Sequence, residues 1–237
     1  MSINRSRTMK PLLYLAAGEQ LPGETVLQAI QGIVADATTP QKRLGVRRPG
    51  KRQAACLFLA RVAPADTIDE EGLSALVADV DGVVLTACRG PADIQKLDAM
   101  LKVAEAVAGI PQGRTALLAE YATVAESVLS PHSLACVSPR LSGLIFDAAI
   151  LAEACGCRRV TEGGDTPAVI RAGRAAAVLR AREAGIAAYD MLPADAVDEA
   201  AVRRLSTNSL DNGFSAVAVG FPQQIDLLAA AGALPET

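Results

Sequence analysis

The chain has no tryptophan, and only three tyrosines and four phenylalanines among its 237 residues. Without large aromatic anchors, alanine, valine and leucine must fill the core in tight layers of small side chains. Histidine occurs once, as His132, and cysteine five times, at positions 56, 88, 136, 155 and 157. A single histidine, with Cys155 and Cys157 one residue apart, argues against a structural zinc site. The odd cysteine count, with most of the thiols in apolar runs, points to buried free thiols in a reducing cytoplasm. No apolar run approaches the ~20 residues of a membrane span. The start, "MSINRSRTMK", is basic but lacks a signal-peptide core, and residues 1–10 are expected to form a disordered tail. A net charge of −3 gives no global attraction to nucleic acid or anionic membrane, so neither is an expected partner.

What the sequence does contain is a recurring unit: a short apolar run, a turn, then a helix-like stretch. Eight runs recur, from "PLLYLAAG" and "GIVADA" through "ACLFLARV", "GVVLTAC", "TALLAEY" and "SGLIFDAAIL" to "IAAYDML" and "SAVAVGF". Most are continuous rather than alternating, the mark of strands buried on both faces. Helices are expected over "GPADIQKLDAMLKVAEAVAG" and "DTPAVIRAGRAAAVLRAREAG", which have apolar residues three and four apart and end at glycine. Asp165 or Thr166 is an expected cap for the second of these, and Asp195 for the helix after it. Eight such units in one chain predict a single-domain (β/α)8 TIM barrel over residues 1–237. An open doubly wound sheet is the alternative, although no glycine-rich phosphate fingerprint follows the first strand.

In such barrels the chemistry gathers where strands end. The polar residues near those ends are Glu19, Asp36, Arg61, Thr86, Glu120, Asp147, Asp190 and Gln223. Glu120 closes the apolar run "TALLAE", where an ionised carboxylate is costly unless something pairs with it. Acidic residues around one mouth suggest a metal, and an arginine beside them suggests a substrate carboxylate held by a fork. Asp147 also suits a cap for the short helix that follows it. Tyr121 could floor a pocket, and His132 reads as a loop residue. The segment "KRLGVRRPGKR", from Lys42 to Arg52, holds the strongest run of positive charge; it either solvates a loop or docks a phosphorylated carrier.

Several of these motifs, in this order, resemble the citrate lyase β-subunit group of the HpcH/HpaI aldolase family. The C-terminal part from "AREAGIAAYDMLP" to "AVAVGFPQQIDLL" carries the clearest likeness. "ARVAP" is similar to the family's Val-Arg-x-Asn-Pro, and "GIVADATTPQK" to its Leu-Glu-Asp-Ala-Val-x-Pro. The resemblance implies a metal-dependent carbon–carbon lyase acting on a small keto or hydroxy di-acid or its acyl thioester. It implies Glu120 as a magnesium ligand, Arg61 as the substrate-carboxylate clamp, and Asp36 and Asp190 as substrate-site acids. Coenzyme A or an acyl carrier protein and a homo-oligomer are further expected partners. The departures lie at the same mouth. Ile150 stands where the second metal ligand belongs, so Asp147 is the remaining candidate for that role. Phe221 replaces a histidine, and Thr86-Ala87 replaces Pro-Lys. The alternative is a catalytically silent barrel that binds an anionic ligand or a partner protein.

Overall fold

The computed structural model describes residues 9–16, 18–43 and 56–235. Eight parallel strands close into one barrel in sequence order: β1 (Leu12–Leu15), β2 (Gly32–Asp36), β3 (Leu57–Val62), β4 (Gly82–Cys88), β5 (Ala116–Tyr121), β6 (Leu141–Phe146), β7 (Ala187–Met191) and β8 (Ala216–Val219), with β8 paired back onto β1. The (β/α)8 expectation holds and the open sheet does not. The helices are α1 (Glu24–Ala29), α2 (Pro40–Arg43), α3 (Glu70–Leu76), α4 (Pro91–Val107), α5 (Ala125–Leu129), α6 (Ala148–Ala154), α7 (Ala168–Ala184), α8 (Glu199–Asp211) and α9 (Pro222–Ala230).

Strand periodicity sorts the core into two layers. Leu12, Val34, Leu59, Val84, Leu118, Ile145, Tyr189 and Ala218 fill the barrel interior. The alternate residues, among them Leu13, Ile33, Val83, Leu117, Tyr121 and Phe146, pack outward against the helices. Tyr121 therefore floors no pocket in the mouth. The helix α7 lies close to the barrel because Gly173 has no side chain; a Cβ there would come within 2.4 Å of Leu151 and 2.8 Å of Phe146. Gly185 ends α7 in the left-handed conformation, φ 69°, which glycine adopts without steric cost.

The expected tail lies outside the described residues as far as residue 8; beyond it, the Met9 amide bonds the Ser215 carbonyl and Lys10 bonds the Gln28 carbonyl. Two caps differ from expectation. Asp198, not Asp195, caps α8 by accepting the Ala201 amide, because the chain is still extended at Asp198. Asp195 instead pairs with Arg159. Pro167 precedes α7, which has no side-chain cap. Four of the five cysteines also depart from the buried reading: Cys88 alone is buried, Cys136 and Cys155 are exposed, and all five are free thiols.

At the end of the barrel opposite the mouth, Arg140 sits just before β6. It donates to both carboxylate oxygens of Glu105 at 2.6 and 2.7 Å, and to Asp98 at 2.8 Å. Glu105, on α4, also accepts the Gly113 and Thr115 amides at 2.8 Å. Burial alone would raise its pKa, but these hydrogen bonds hold it down at about 2. Every charge in this buried cluster has a partner, which burial demands.

Candidate functional site at the barrel mouth

The odd–even rule that builds the core also aims the mouth residues. Glu120 follows Leu118 by two positions and Arg61 follows Leu59 by two, so both point into the barrel, one layer above its apolar filling. They meet there. Arg61 Nε donates to Glu120 Oε1 at 2.6 Å and Nη2 to Oε2 at 2.9 Å, a two-pronged charge-assisted pair. The Tyr14 hydroxyl, from β1, donates to the same Oε1 at 3.3 Å. Glu120 is only 3% exposed, whereas the Arg61 side chain keeps 25% of its surface open to the mouth. Burial favours the uncharged form of Arg61, but the Glu120 hydrogen bonds and charge outweigh it and raise the pKa. Burial, then the Glu120 charge, pushes the Tyr14 phenol well above its ordinary value, so it remains a donor. Tyr14 was not among the sequence candidates; its position two residues beyond Leu12 on an inward-facing strand was the available signal.

The other acids are also engaged. Asp36 accepts the Thr38 amide at 3.0 Å and its hydroxyl at 2.7 Å, and Lys42 Nζ lies 2.6 Å from the second oxygen. These bonds outweigh the opposing effect of burial and lower its pKa. Asp147 caps α6: its Oδ1 accepts the Ala149 and Ile150 amides at 2.8 and 3.3 Å. Ile150 lies in the first turn of that helix. Thr86 is buried at the end of β4. Ala87 and Ala122 turn the chain at the ends of β4 and β5 with φ of 47° and 59°, left-handed values that are strained for residues other than glycine. Gln223 is exposed, whereas its neighbour Gln224 is buried and bonds the Gly220 amide and the carbonyls of Pro193 and Ala196.

Asp190 is brought to the same end of the barrel but not to the same side of the sheet. Tyr189 fills the interior, so Asp190 faces outward, where Arg174 Nη1 lies 2.6 Å and Ser209 Oγ 2.5 Å from its Oδ2. Burial raises its pKa despite the Arg174 charge. Arg174 and Ser209 were also missed in the sequence, since helix residues carry no strand-end signal.

This chain, a barrel with an arginine next to the end of its third strand and a glutamate next to the end of its fifth, the two joined in the mouth, matches one family model over residues 49–220. The chain belongs to the HpcH/HpaI aldolase/citrate lyase family. No curated relative matches it. Among solved structures, RipC from Yersinia pestis is similar with 22% identity and a TM-score of 0.70, over 94% of each chain. The Mycobacterium tuberculosis citrate lyase β-subunit complexed with oxaloacetate and magnesium shares 19% identity over 96% of this chain and 97% of its own, with a TM-score of 0.70. The Haloferax volcanii malate synthase pyruvate/acetyl-CoA complex shares 19% identity over 98% of this chain and 72% of its own, with a TM-score of 0.76. At these identities the likeness speaks for the fold.

Magnesium binds in some of these relatives, and the donors here do not fit it. Glu120 has both oxygens on Arg61, Asp147 spends an oxygen on two backbone amides, and Ile150 offers no oxygen. Among the described residues no group of three or more His, Cys, Asp or Glu side chains is placed to share a cation. None of the helices described is long and apolar enough to cross a membrane.

Proposed function

We propose that this barrel binds a small keto or hydroxy di-acid at Arg61 without assembling a magnesium centre, as a catalytically silent branch of its family. One observation carries the reading. Glu120, the carboxylate that the family resemblance makes a metal ligand, is committed to Arg61 by two hydrogen bonds, and Ile150 stands where the same resemblance expects the other ligand. In this arrangement Glu120, steadied by Tyr14, fixes the guanidinium. Arg61 Nη1 takes no part in the pair and remains a charged donor for a ligand carboxylate. The test is calorimetric titration of magnesium and of oxaloacetate, each alone and together. Oxaloacetate is expected to bind equally with and without magnesium, and to lose its affinity in Arg61→Met/Glu120→Met. Magnesium binding that strengthens with oxaloacetate overturns the reading.

That outcome would select a second reading, a magnesium-assisted carbon–carbon lyase acting on such a di-acid or its thioester. The retention of Arg61 and Glu120 as a matched pair favours it. A buried ion pair resists losing one member, since the other is left uncompensated. A metal and an acid would then bind jointly or not at all. Docking of coenzyme A or an acyl carrier on the basic segment belongs to this reading. Residues 44–52 of that segment lie outside the described residues, and Lys42 and Arg43 are engaged with Asp36 and Asp69.

A further inference from the structure

The ligand proposed for the mouth carries two carboxylates, and Arg61 Nη1 can hold one of them. Lys42, on α2, supplies a second cation at the same end of the barrel. Asp36 follows the interior residue Val34 by two positions, so it points into the mouth. It is the register partner of Arg61 across β2 and β3. Lys42 Nζ reaches back from α2 to Asp36 Oδ2 at 2.6 Å. Burial lowers the Arg61 pKa; Glu120 and, more weakly, Tyr14 and Asp36 raise it, so the Asp36 charge acts on the guanidinium.

The two cations are held in the same way. Glu120 ties down Arg61 through Nε and Nη2 and leaves Nη1. Thr38 holds Asp36 Oδ1 with its amide and its hydroxyl, which fixes Oδ2 as the seat of Lys42. An ammonium has three N–H donors, and the Asp36 bond takes one. The Lys42 side chain is 39% exposed, so the remaining donors are open to a ligand. Other cations near this end are committed. Arg43 is bound to Asp69 and the Ala37 carbonyl, Arg89 to Asp66 and both oxygens of Asp93, and Arg174 lies outside the wall. Neighbouring strands lie roughly 4.8 Å apart, a step that a four-carbon acid spans.

We infer that Lys42 is the second anchor of the mouth, donating to the far carboxylate of a four-carbon di-acid whose near carboxylate sits on Arg61 Nη1. The ammonium thereby selects di-acids over mono-acids. This inference rests on the role proposed for Arg61. Asp36 acts through Lys42 and is a positioning residue, as Glu120 is for Arg61.

The probes are malate and lactate, hydroxy acids with and without the second carboxylate, titrated calorimetrically at low salt without magnesium. The parent should bind malate more tightly. Lys42→Gln by itself would leave Asp36 uncompensated beside Arg61, so Lys42→Gln/Asp36→Asn removes both charges and keeps an oxygen for Thr38. This double variant should bind malate roughly fivefold more weakly, and lactate as the parent does. Lys42→Arg, which keeps the charge, should retain the preference for malate. Equal affinity of the parent for the two acids, an unchanged malate affinity in the double variant, or an equal loss for both acids overturns the inference and leaves the role of Arg61 standing. If neither acid binds the parent, or if Arg61→Met/Glu120→Met binds both as the parent does, the reading of the mouth fails and this inference with it.

Discussion

Arg61 and Glu120, 59 residues apart in the chain, face each other inside the barrel from β3 and β5 and share two hydrogen bonds of 2.6 and 2.9 Å. The pair is asymmetric, because Glu120 is almost wholly enclosed and Arg61 is not. Removing the arginine strands a carboxylate in a dry site, whereas removing the glutamate leaves a cation that can still reach water. Arg61→Met is therefore expected to cost about 3 kcal/mol, Glu120→Met distinctly less, and the double variant to return close to the parent. Urea unfolding of the four proteins measures this. Additive losses in the double variant would show that the two side chains are not one unit.

Asp147 and Ile150 separate capping from metal binding. Asp147→Ala should lower stability by about 1 kcal/mol through loss of the α6 cap, and leave any magnesium affinity unchanged. Ile150→Asp adds an oxygen donor at the position that the family resemblance assigns to the metal, and gains on the order of 10–100-fold in magnesium affinity are typical of groups that shape such a site. Calorimetry reads both changes. A large loss of magnesium binding in Asp147→Ala would make that carboxylate a ligand after all.

The buried cluster around Arg140 predicts acid sensitivity. Glu105 titrates at about 2 in the fold against an ordinary value of 4.5. Its folded pKa is depressed, so its contribution is present above the unfolded value and is lost as the pH falls from about 4.5 towards 2. The shift corresponds to a contribution on the order of 3 kcal/mol. Urea midpoints measured from pH 7 to pH 3 should fall steeply in the parent. Glu105→Gln should be weaker at neutral pH, with a flatter profile below pH 4.5. Parallel profiles would remove Glu105 from the explanation.

Gly173 is predicted to tolerate no side chain. Gly173→Ala places a methyl group within 3 Å of Leu151 and Phe146. Since Leu151 and Phe146, or α7 itself, must then give way, a loss of about 1–3 kcal/mol is expected. A melting temperature equal to that of the parent would show that the helix has room to shift.

The eight strands were legible because a strand buried on both faces announces itself locally, as a continuous apolar run of the right length. The run "SGLIFDAAIL" misled in one respect: it crosses from β6 into α6, with Asp147 at the joint, and apolar content alone does not distinguish a strand end from a helix start. The site was legible in part. Arg61 and Glu120 stood out as charges closing apolar strands, and the fold brought them into contact. Tyr14 did not stand out, because a tyrosine in a strand looks like core until its hydroxyl finds a partner.

By itself the sequence determined the barrel, its strand order and which charged residues close its strands, since these follow from period-two burial and short-range chain geometry. Only the tertiary structure decided what those charges do. Glu120 is bound to an arginine two strands away, and Asp190 to Arg174 on the outer side of the wall. The physical reason is that a buried charge is defined by its partner. Partners are chosen by barrel closure and strand stagger, which bring together residues whose separation in the chain carries no record of their contact.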